Sequence, residues 1–338
     1  MCISSSMGRF TCRSRPAQPW TTHVNLLNYF PRDLRRYEEL KTTLEARGYT
    51  FQSTSDSELV LYLYQEYGQD FLHHLRGEFS LIVYDSAKRL VIAARDRYGI
   101  KPLFWTKTPE GRILIVAEIK SFLGLGVRPE WDVKSLKECG WLYDTRTILK
   151  GVNRLRPGHM LVIGLDGRLD EKPYWEPSYP DKNTVDTRTF EEMIKGVRER
   201  LIDAVACRLR ADVPVGVYLS GGIDSSVVAG IIVHLMKNGL TAGSQESRRL
   251  KCFTIEFDAG AHNEVAIARR TAEHLGVDFN PMHASEEMLV DNFERAVWAI
   301  EQPANDLNFV GKNMLSRFVS GQGYPVVLTG EGADEHFA

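Results

Sequence analysis

Apolar positions between Arg35 and Tyr67 recur with helical spacing, interrupted at "RGYTFQSTSDSE". They predict two helical stretches, faced by Leu40 and Leu44 and then by Leu59, Leu61, Leu63 and Tyr64. From Phe79 the period shortens. "FSLIVYD", "RLVIAARD" and "RILIVAE" read as strands separated by the turns "SAKR" and "KTPEG", and "HMLVIGLDGRL" reads as a hairpin turning at Asp-Gly. A β-rich region thus runs to about Lys172, and we take residues 1–172 as a first domain. "EKPYWEPSYPDKNTVDT" holds three prolines and no period, so residues 173–189 read as a linker. Residues 190–338 form the second domain. Phe190, Ile194, Val197, Leu201, Ile202, Val205 and Leu209 mark a long amphipathic helix there. Strand-like "VPVGVYLS", "KCFTIEF" and "YPVVLTGEGADE" then alternate with helical runs, among them "NEVAIARRTAEHLG", which predicts a doubly wound α/β fold on a parallel sheet.

Composition narrows the function classes. The 338 residues suffice for two domains, and a formal net charge of -2 gives no reason to expect nucleic acid or a membrane surface as partner. No apolar run approaches the roughly 20 residues that span a bilayer; the longest lies around Val227–Met236. Five cysteines, an odd number without C-x-x-C spacing, argue against a disulfide framework and a zinc site, and fit a reducing cytosol. The first acidic residue is Asp33, and the opening twenty residues are rich in Ser and Arg. Organelle transit peptides have that composition, and so does an irregular N-terminus; both readings stay open.

The stretch "YLSGGIDSSVVAG" carries the strongest chemical signal. An apolar strand gives way to Ser220-Gly221-Gly222, and a helix expected from about Ser225 to Lys237 stops at Gly239. Glycines let backbone approach a ligand, and the N–H groups at a helix start favour an anion, to which Ser220, Ser225 and Ser226 would add hydroxyl donors. Asp224 repels an anion unless a cation joins them, and Mg²⁺ on phosphate oxygens is the obvious one. "VVLTGEGADE" is a second strand entering a small-residue loop with acids, where Thr329 and Gly330 could meet the same nucleotide and Asp334 share its metal. Neither the G-x-x-x-x-G-K-[ST] loop nor G-x-G-x-x-G occurs.

These residues carry a resemblance. "SGGIDSS" resembles the pyrophosphate loop of the ATP-pyrophosphatase class, and with "TGEGADEHFA" it is similar to the synthetase half of glutamine-dependent asparagine synthetases. "SDSELVLYLYQEYG", "LRGEFSLIVYD", "ARDRYGIKPLF", "AEIKSFL" and "RLRPGH" resemble, in order, the amidotransferase half of that family, and "EQPANDLNFVGKNML" looks like its fungal branch. The resemblance runs from about Val24 to the last residue. It implies an α+β amidotransferase domain of the Ntn-hydrolase type, followed by an α/β ATP-pyrophosphatase domain. It also implies ATP and Mg²⁺, with aspartate and glutamine or ammonia as substrates, cytoplasmic localisation, and an open possibility of a homodimer. Leu219 and Ile255 would lie near the adenine; Ser220, Gly221, Gly222, Asp224, Ser225 and Ser226 would hold the pyrophosphate and its metal. Thr329 and Gly330 would contact the nucleotide, Asp334 would be a second metal ligand, and Glu331 resembles the glutamate needed for adenylate formation.

The glutamine half departs from the family pattern. Cys2 stands where the family has its N-terminal nucleophile, but Ile3 follows it instead of glycine. Asn25 is a candidate oxyanion partner, yet Leu26 replaces the next glycine; Asp56 resembles the residue that holds the glutamine amino group. Only about twenty irregular residues precede this segment, and the chain stops after Asp334 without the family's later helical region, so the sequence reads as truncated at both ends. A related amide-forming enzyme of secondary metabolism, β-lactam synthetase-like, and a degenerate non-catalytic fragment are the alternatives.

Overall fold

The computed structural model describes residues 10–13, 21–30, 34–53, 55–138, 144–244, 249–258, 264–304 and 306–337. Cys2 and Ile3 lie outside them. Backbone contacts divide the chain into two compact units, Met1–Lys182 with Glu301–Asn305, and Asn183–Ile300 with Asp306–Ala338.

In the first unit, strands β1 (Phe10–Arg13), β2 (Thr21–Phe30), β3 (Glu78–Asp85) and β4 (Leu90–Arg95) pair in order. After β5 (Phe104–Lys107), β6 (Ile113–Val116) and β7 (Val152–Arg154), the strands β8 (His159–Gly164) and β9 (Leu169–Pro173) complete a six-stranded antiparallel sheet ordered β1-β2-β3-β4-β8-β9. β6, β5 and β7 form a second, three-stranded sheet. Alternation along β3 explains the layering. Phe79, Leu81 and Val83 meet helices α1 (Leu34–Ala46) and α2 (Asp56–Tyr67) through Tyr37, Leu44, Leu59 and Leu63. Ile82, with Val91 and Ala93 of β4, faces Leu103, Ile113 and Ile115 on the side of the three-stranded sheet. The outer face of that sheet closes on Phe122 of the short helix α3 (Ser121–Gly124), and α4 (Val133–Lys137) follows. This is the α+β architecture expected for the first domain. The region before Val24 is not irregular throughout, because β1 pairs there with β2 from Phe10↔Val24 to Arg13↔Thr21.

The "ARDRYGIKPLF" motif builds structure. Arg95 is buried, and its guanidinium donates to the carbonyls of Lys101 (2.7 Å), Leu155 (2.8 Å) and Gly99. Burial, helped by Arg154, pushes that guanidinium down to about 10, with Asp96 opposing. The Asp96 carboxylate accepts the amides of Tyr98, Ile100 and Lys101, so two neighbouring charges hold one loop from both sides. Tyr174, just past β9, is buried and donates its hydroxyl to the Arg95 carbonyl at 2.8 Å, tying the start of the proline-rich segment to this unit.

The second unit opens with α5 (Phe190–Arg208), whose Thr189 and Glu192 form a reciprocal capping box. It continues through β10 (Val215–Tyr218), α6 (Ile223–Lys237), β11 (Lys251–Phe257), α7 (Val265–Leu275), β12 (Asp278–Ala284), α8 (Glu286–Ile300), α9 (Asn308–Gly321), β13 (Val326–Leu328) and the terminal turn α10 (Asp334–Phe337). The sheet order is β12-β11-β10-β13, with every neighbour parallel. Val215, Val217 and Cys252 bury one face with Ala229 and Ile232 of α6 and Ala268 of α7. Phe253 and Met282 bury the other with Val310, Met314 and Leu315 of α9. Helices cover both faces, as a parallel sheet requires, and the second unit is the doubly wound α/β fold expected. Among the described residues no helix is long and apolar enough to cross a membrane.

Candidate active site

Parallel pairing sets up the site. Val215, Gly216 and Val217 of β10 stand opposite Val326, Val327 and Leu328 of β13. The loops that begin at Leu219 and Thr329 therefore leave the sheet side by side at the carboxyl ends of their strands. Chain order reverses between these two strands, since β11 and β12 lie on the far side of β10. Crevices at such points bind ligands in doubly wound sheets.

The two loops touch. A Cβ placed on Gly330 would stand 2.7 Å from the Asp224 Cβ, 2.7 Å from the Ser225 amide nitrogen and 2.8 Å from the Asp224 carbonyl carbon. Only a bare backbone fits there. The helix starts two residues earlier than the sequence suggested, at Ile223 with Gly222 as its N-cap, because Gly222 is extended and Ile223 is not an obstacle to helix geometry. Asp224 thus lies in the first turn of α6, half-buried, while Glu331 on the 329–333 loop and Asp334 at the start of α10 are exposed.

The amides of the Ser-Gly-Gly turn are not bare. The Ser220 N–H donates to the Ser225 hydroxyl (3.1 Å), and the Gly222 N–H donates to the Ser220 hydroxyl (3.1 Å). Ser220 and Ser225 share a further hydrogen bond of 2.9 Å, and Ser226 donates its hydroxyl to the Gly222 carbonyl at 2.7 Å. The three serines that sequence reading assigned as donors to an anion are therefore engaged within the loop. Hydroxyls rotate, so each can exchange an internal partner for an outside one. The third amide differs. Gly221 N–H donates at 2.9 Å to the carboxylate of Glu264, the residue preceding α7, which places an acid on this loop.

Leu219 is buried and its amide donates to the Phe253 carbonyl at 2.9 Å, which fixes the start of the loop to β11. Ile255 sits half-buried near the carboxyl end of β11, in van der Waals range of α9. Lys312 of α9 pairs with Glu331 at 2.7 Å, and both side chains are exposed. Glu264 and Lys312 were missed in the sequence, because one lies 43 residues from Gly221 and the other 19 from Glu331. Cys252 is no nucleophile: burial, with a smaller push from Asp278, drives its thiol up to about 12.

The donor set bears on the expected Mg²⁺. Among the described residues no three His, Cys, Asp or Glu side chains cluster as a metal cage. Mg²⁺ keeps several waters and takes one or two carboxylates plus substrate phosphates. Asp224, against which Gly330 rests, and Asp334, at the start of α10 four residues further on, are the carboxylates such a metal would take.

The glutamine-side candidates belong to the first unit. Asp56 is half-buried in the first turn of α2, after the N-cap Ser55. The backbone of Asn25 pairs with Ile82, and the β2–β3 register slips between Leu26 and Asn28, a bulge of the kind found next to active sites.

Comparison with known proteins agrees with this division. Residues 13–175 match the family model of the glutamine amidotransferase domain, and residues 196–338 match that of asparagine synthase. The chain is 50% identical over 298 residues to the amidase chyE of Penicillium rubens, covering 87% of this chain and 44% of that protein. It is 48% identical over 309 residues to the amidase chry2 of Gibberella zeae, covering 90% and 46%. It is 30% identical over 316 residues to asparagine synthetase [glutamine-hydrolyzing] 1 of Bacillus subtilis, covering 91% and 46%. The chain spans about half the length of the curated relatives it matches. With an amidotransferase domain followed by an asparagine synthase domain, in the order its motifs run, the chain belongs to the glutamine-dependent asparagine synthetase family.

Proposed function

We propose that the second unit binds Mg-ATP and activates a carboxylic acid, aspartate in the first instance, for conversion to its amide. The observation that carries this reading is the contact of Gly330 with Asp224 and Ser225, which joins the two motif loops at the reversal point of the sheet. A carboxylate cannot be aminated directly, because an oxide-like group would have to leave. In the proposed reaction an oxygen of the acid attacks the α-phosphorus of ATP, the bond to the β-phosphate breaks, and pyrophosphate departs from an acyl adenylate. Ammonia then attacks the acyl carbon and AMP leaves.

Each residue has a stated part in this proposal. Ile255 and the backbone of Leu219 lie by the adenine, while Thr329 and Gly330 approach the nucleotide through backbone. The start of α6 and the hydroxyls of Ser220, Ser225 and Ser226 receive the pyrophosphate as its charge grows, and oriented donors of this kind need little reorganisation. Mg²⁺, held by Asp224 and Asp334, would supply charge neutralisation at the phosphate oxygens. Glu331 stands on the loop where acid and α-phosphate would meet. On the other unit, Cys2, Asn25 and Asp56 stand where the family has its glutamine nucleophile and glutamine contacts, but with Ile3 and Leu26 in place of glycine the proposed reaction draws on free ammonia.

The amidases of Penicillium rubens and Gibberella zeae are more similar to this chain than the Bacillus subtilis asparagine synthetase is. That favours a second reading in which the same chemistry acts on another acid. Both readings are tested by incubating the chain with Mg-ATP, ammonium and either aspartate or a panel of other carboxylic acids, following pyrophosphate and amide separately. Asparagine with stoichiometric pyrophosphate supports the first reading. Pyrophosphate released only with another acid supports the second, and ATP binding with neither product supports a non-catalytic chain.

A further inference from the structure

The two motif loops carry Asp224, Glu331 and Asp334, and the proposed reaction brings two further anions to them, a polyphosphate and a carboxylate. A divalent metal answers the phosphate charge and leaves the carboxylate to approach an acid-lined loop unaided. The cation placed there comes from α9. Lys312 Nζ lies 2.7 Å from Glu331 Oε1. Two independent features bring this part of α9 to the loops. Gly311 is buried and a Cβ on it would stand 3.0 Å from Ile255 Cδ1, so the helix approaches the end of β11 as closely as a bare backbone allows. One turn on, Ser316 accepts or donates a 2.9 Å hydrogen bond with the Tyr218 hydroxyl and donates to the Lys312 carbonyl at 2.8 Å, tying the backbone of Lys312 to the last residue of β10.

We propose that Lys312 is a substrate-binding residue of this site, its ammonium taking the carboxylate of the acid to be activated while Glu331 holds that ammonium in place. This rests on the proposed function and deepens it by naming the group that selects a carboxylate. The ion pair is exposed on both sides, 66% and 70%. Such pairs contribute little to stability, so removing Lys312 leaves the fold intact and its ligand role is separable.

The test uses the purified chain with three measurements on wild type, Lys312→Met and Lys312→Arg. Mg-ATP affinity is read by titration calorimetry. The aspartate KM is read from aspartate-dependent exchange of labelled pyrophosphate into ATP. Aspartate affinity is read by calorimetry on chain saturated with the unreactive magnesium complex of α,β-methylene-ATP, which needs no turnover. A charge-assisted contact predicts that Lys312→Met raises the aspartate KM about tenfold and weakens aspartate binding by a similar factor, with an unchanged Mg-ATP affinity and partial recovery in Lys312→Arg. Aspartate binding equal in wild type and Lys312→Met, or absent from chain that binds Mg-ATP, overturns the proposal. So does a parallel loss of Mg-ATP and aspartate affinity, which marks a structural role. Failure of the wild type to bind Mg-ATP overturns the nucleotide reading itself, and this inference with it.

Discussion

Gly330 lies against Asp224 so closely that a single added carbon at position 330 would stand 2.7 Å from the Asp224 Cβ. Two loops more than a hundred residues apart in sequence are thereby held as one surface. Gly330→Ala must push the 329–334 loop off the start of α6. Overpacking of this kind costs about 1–3 kcal/mol, and because the loop is at the surface the loss should fall on ligand binding more than on folding. Calorimetry should show Mg-ATP binding at least about fivefold weaker, with thermal unfolding little changed. Wild-type affinity in Gly330→Ala would remove this contact from the site.

Glu264 makes a different demand. Its carboxylate accepts the Gly221 amide at 2.9 Å, so an incoming phosphate meets a like charge on the loop it is to enter. Glu264→Gln keeps an acceptor oxygen and removes the charge. Magnesium pyrophosphate should then bind about threefold to tenfold tighter at low ionic strength, with the gain shrinking as salt rises. Equal or weaker binding would show that the acid shapes the loop rather than competing for it.

Acid stability of the first unit should depend on Glu58. Burial pushes this carboxyl up, but hydrogen bonds from the Ser53 hydroxyl, the Gln52 and Ser53 amides and the Tyr62 hydroxyl outweigh burial and hold it below its ordinary 4.5. A carboxyl depressed in the folded state contributes stability in full above its unfolded value, and that contribution is lost as pH falls through the folded one. Thermal unfolding followed by circular dichroism should show Glu58→Gln less stable than wild type at neutral pH and the two converging well below pH 4.5. A constant gap across that range would contradict the assignment.

Glutamine hydrolysis should be absent. Cysteine–amine catalysis needs its thiol aligned with an oxyanion partner, and a displacement of about 1 Å can cost roughly a hundredfold. Ile3 after Cys2 and Leu26 after Asn25 both add bulk where the family has glycine. Glutamate released from glutamine, and abolished in Cys2→Ala, would reverse this expectation.

What the sequence could reveal follows from how local each feature is. The apolar runs that became β3, β4 and the first strand of the β8–β9 hairpin were legible because burial on both faces makes nearly every position apolar over a short, strand-length stretch, and Asp166-Gly167 marked the turn. The Ser-Gly-Gly turn before α6 was legible as a strand-to-helix signal. β12 was not, since "DFNPMHA" contains a proline and polar residues, which only an edge strand tolerates, and it does sit at the sheet edge. α8 and α9 went unread as well, and with α9 went Lys312. Glu264 lay in plain view inside a helical pattern, but nothing local to α7 says that its side chain crosses to Gly221. The serine hydroxyls were assigned outward because a motif records residue types, whereas their internal hydrogen bonds depend on how the turn closes.

The proposed function stands on the joined loops around Asp224 and Gly330 forming a Mg-ATP site. Titration calorimetry with Mg-ATP on folded wild-type chain and on Asp224→Ala tests it most directly. The wild type should bind saturably and the variant at least about tenfold more weakly, since the variant loses the proposed metal-ligating carboxylate while keeping the backbone of the loop. No detectable binding by a wild-type sample shown to be folded, or equal affinity in the two proteins, would contradict it.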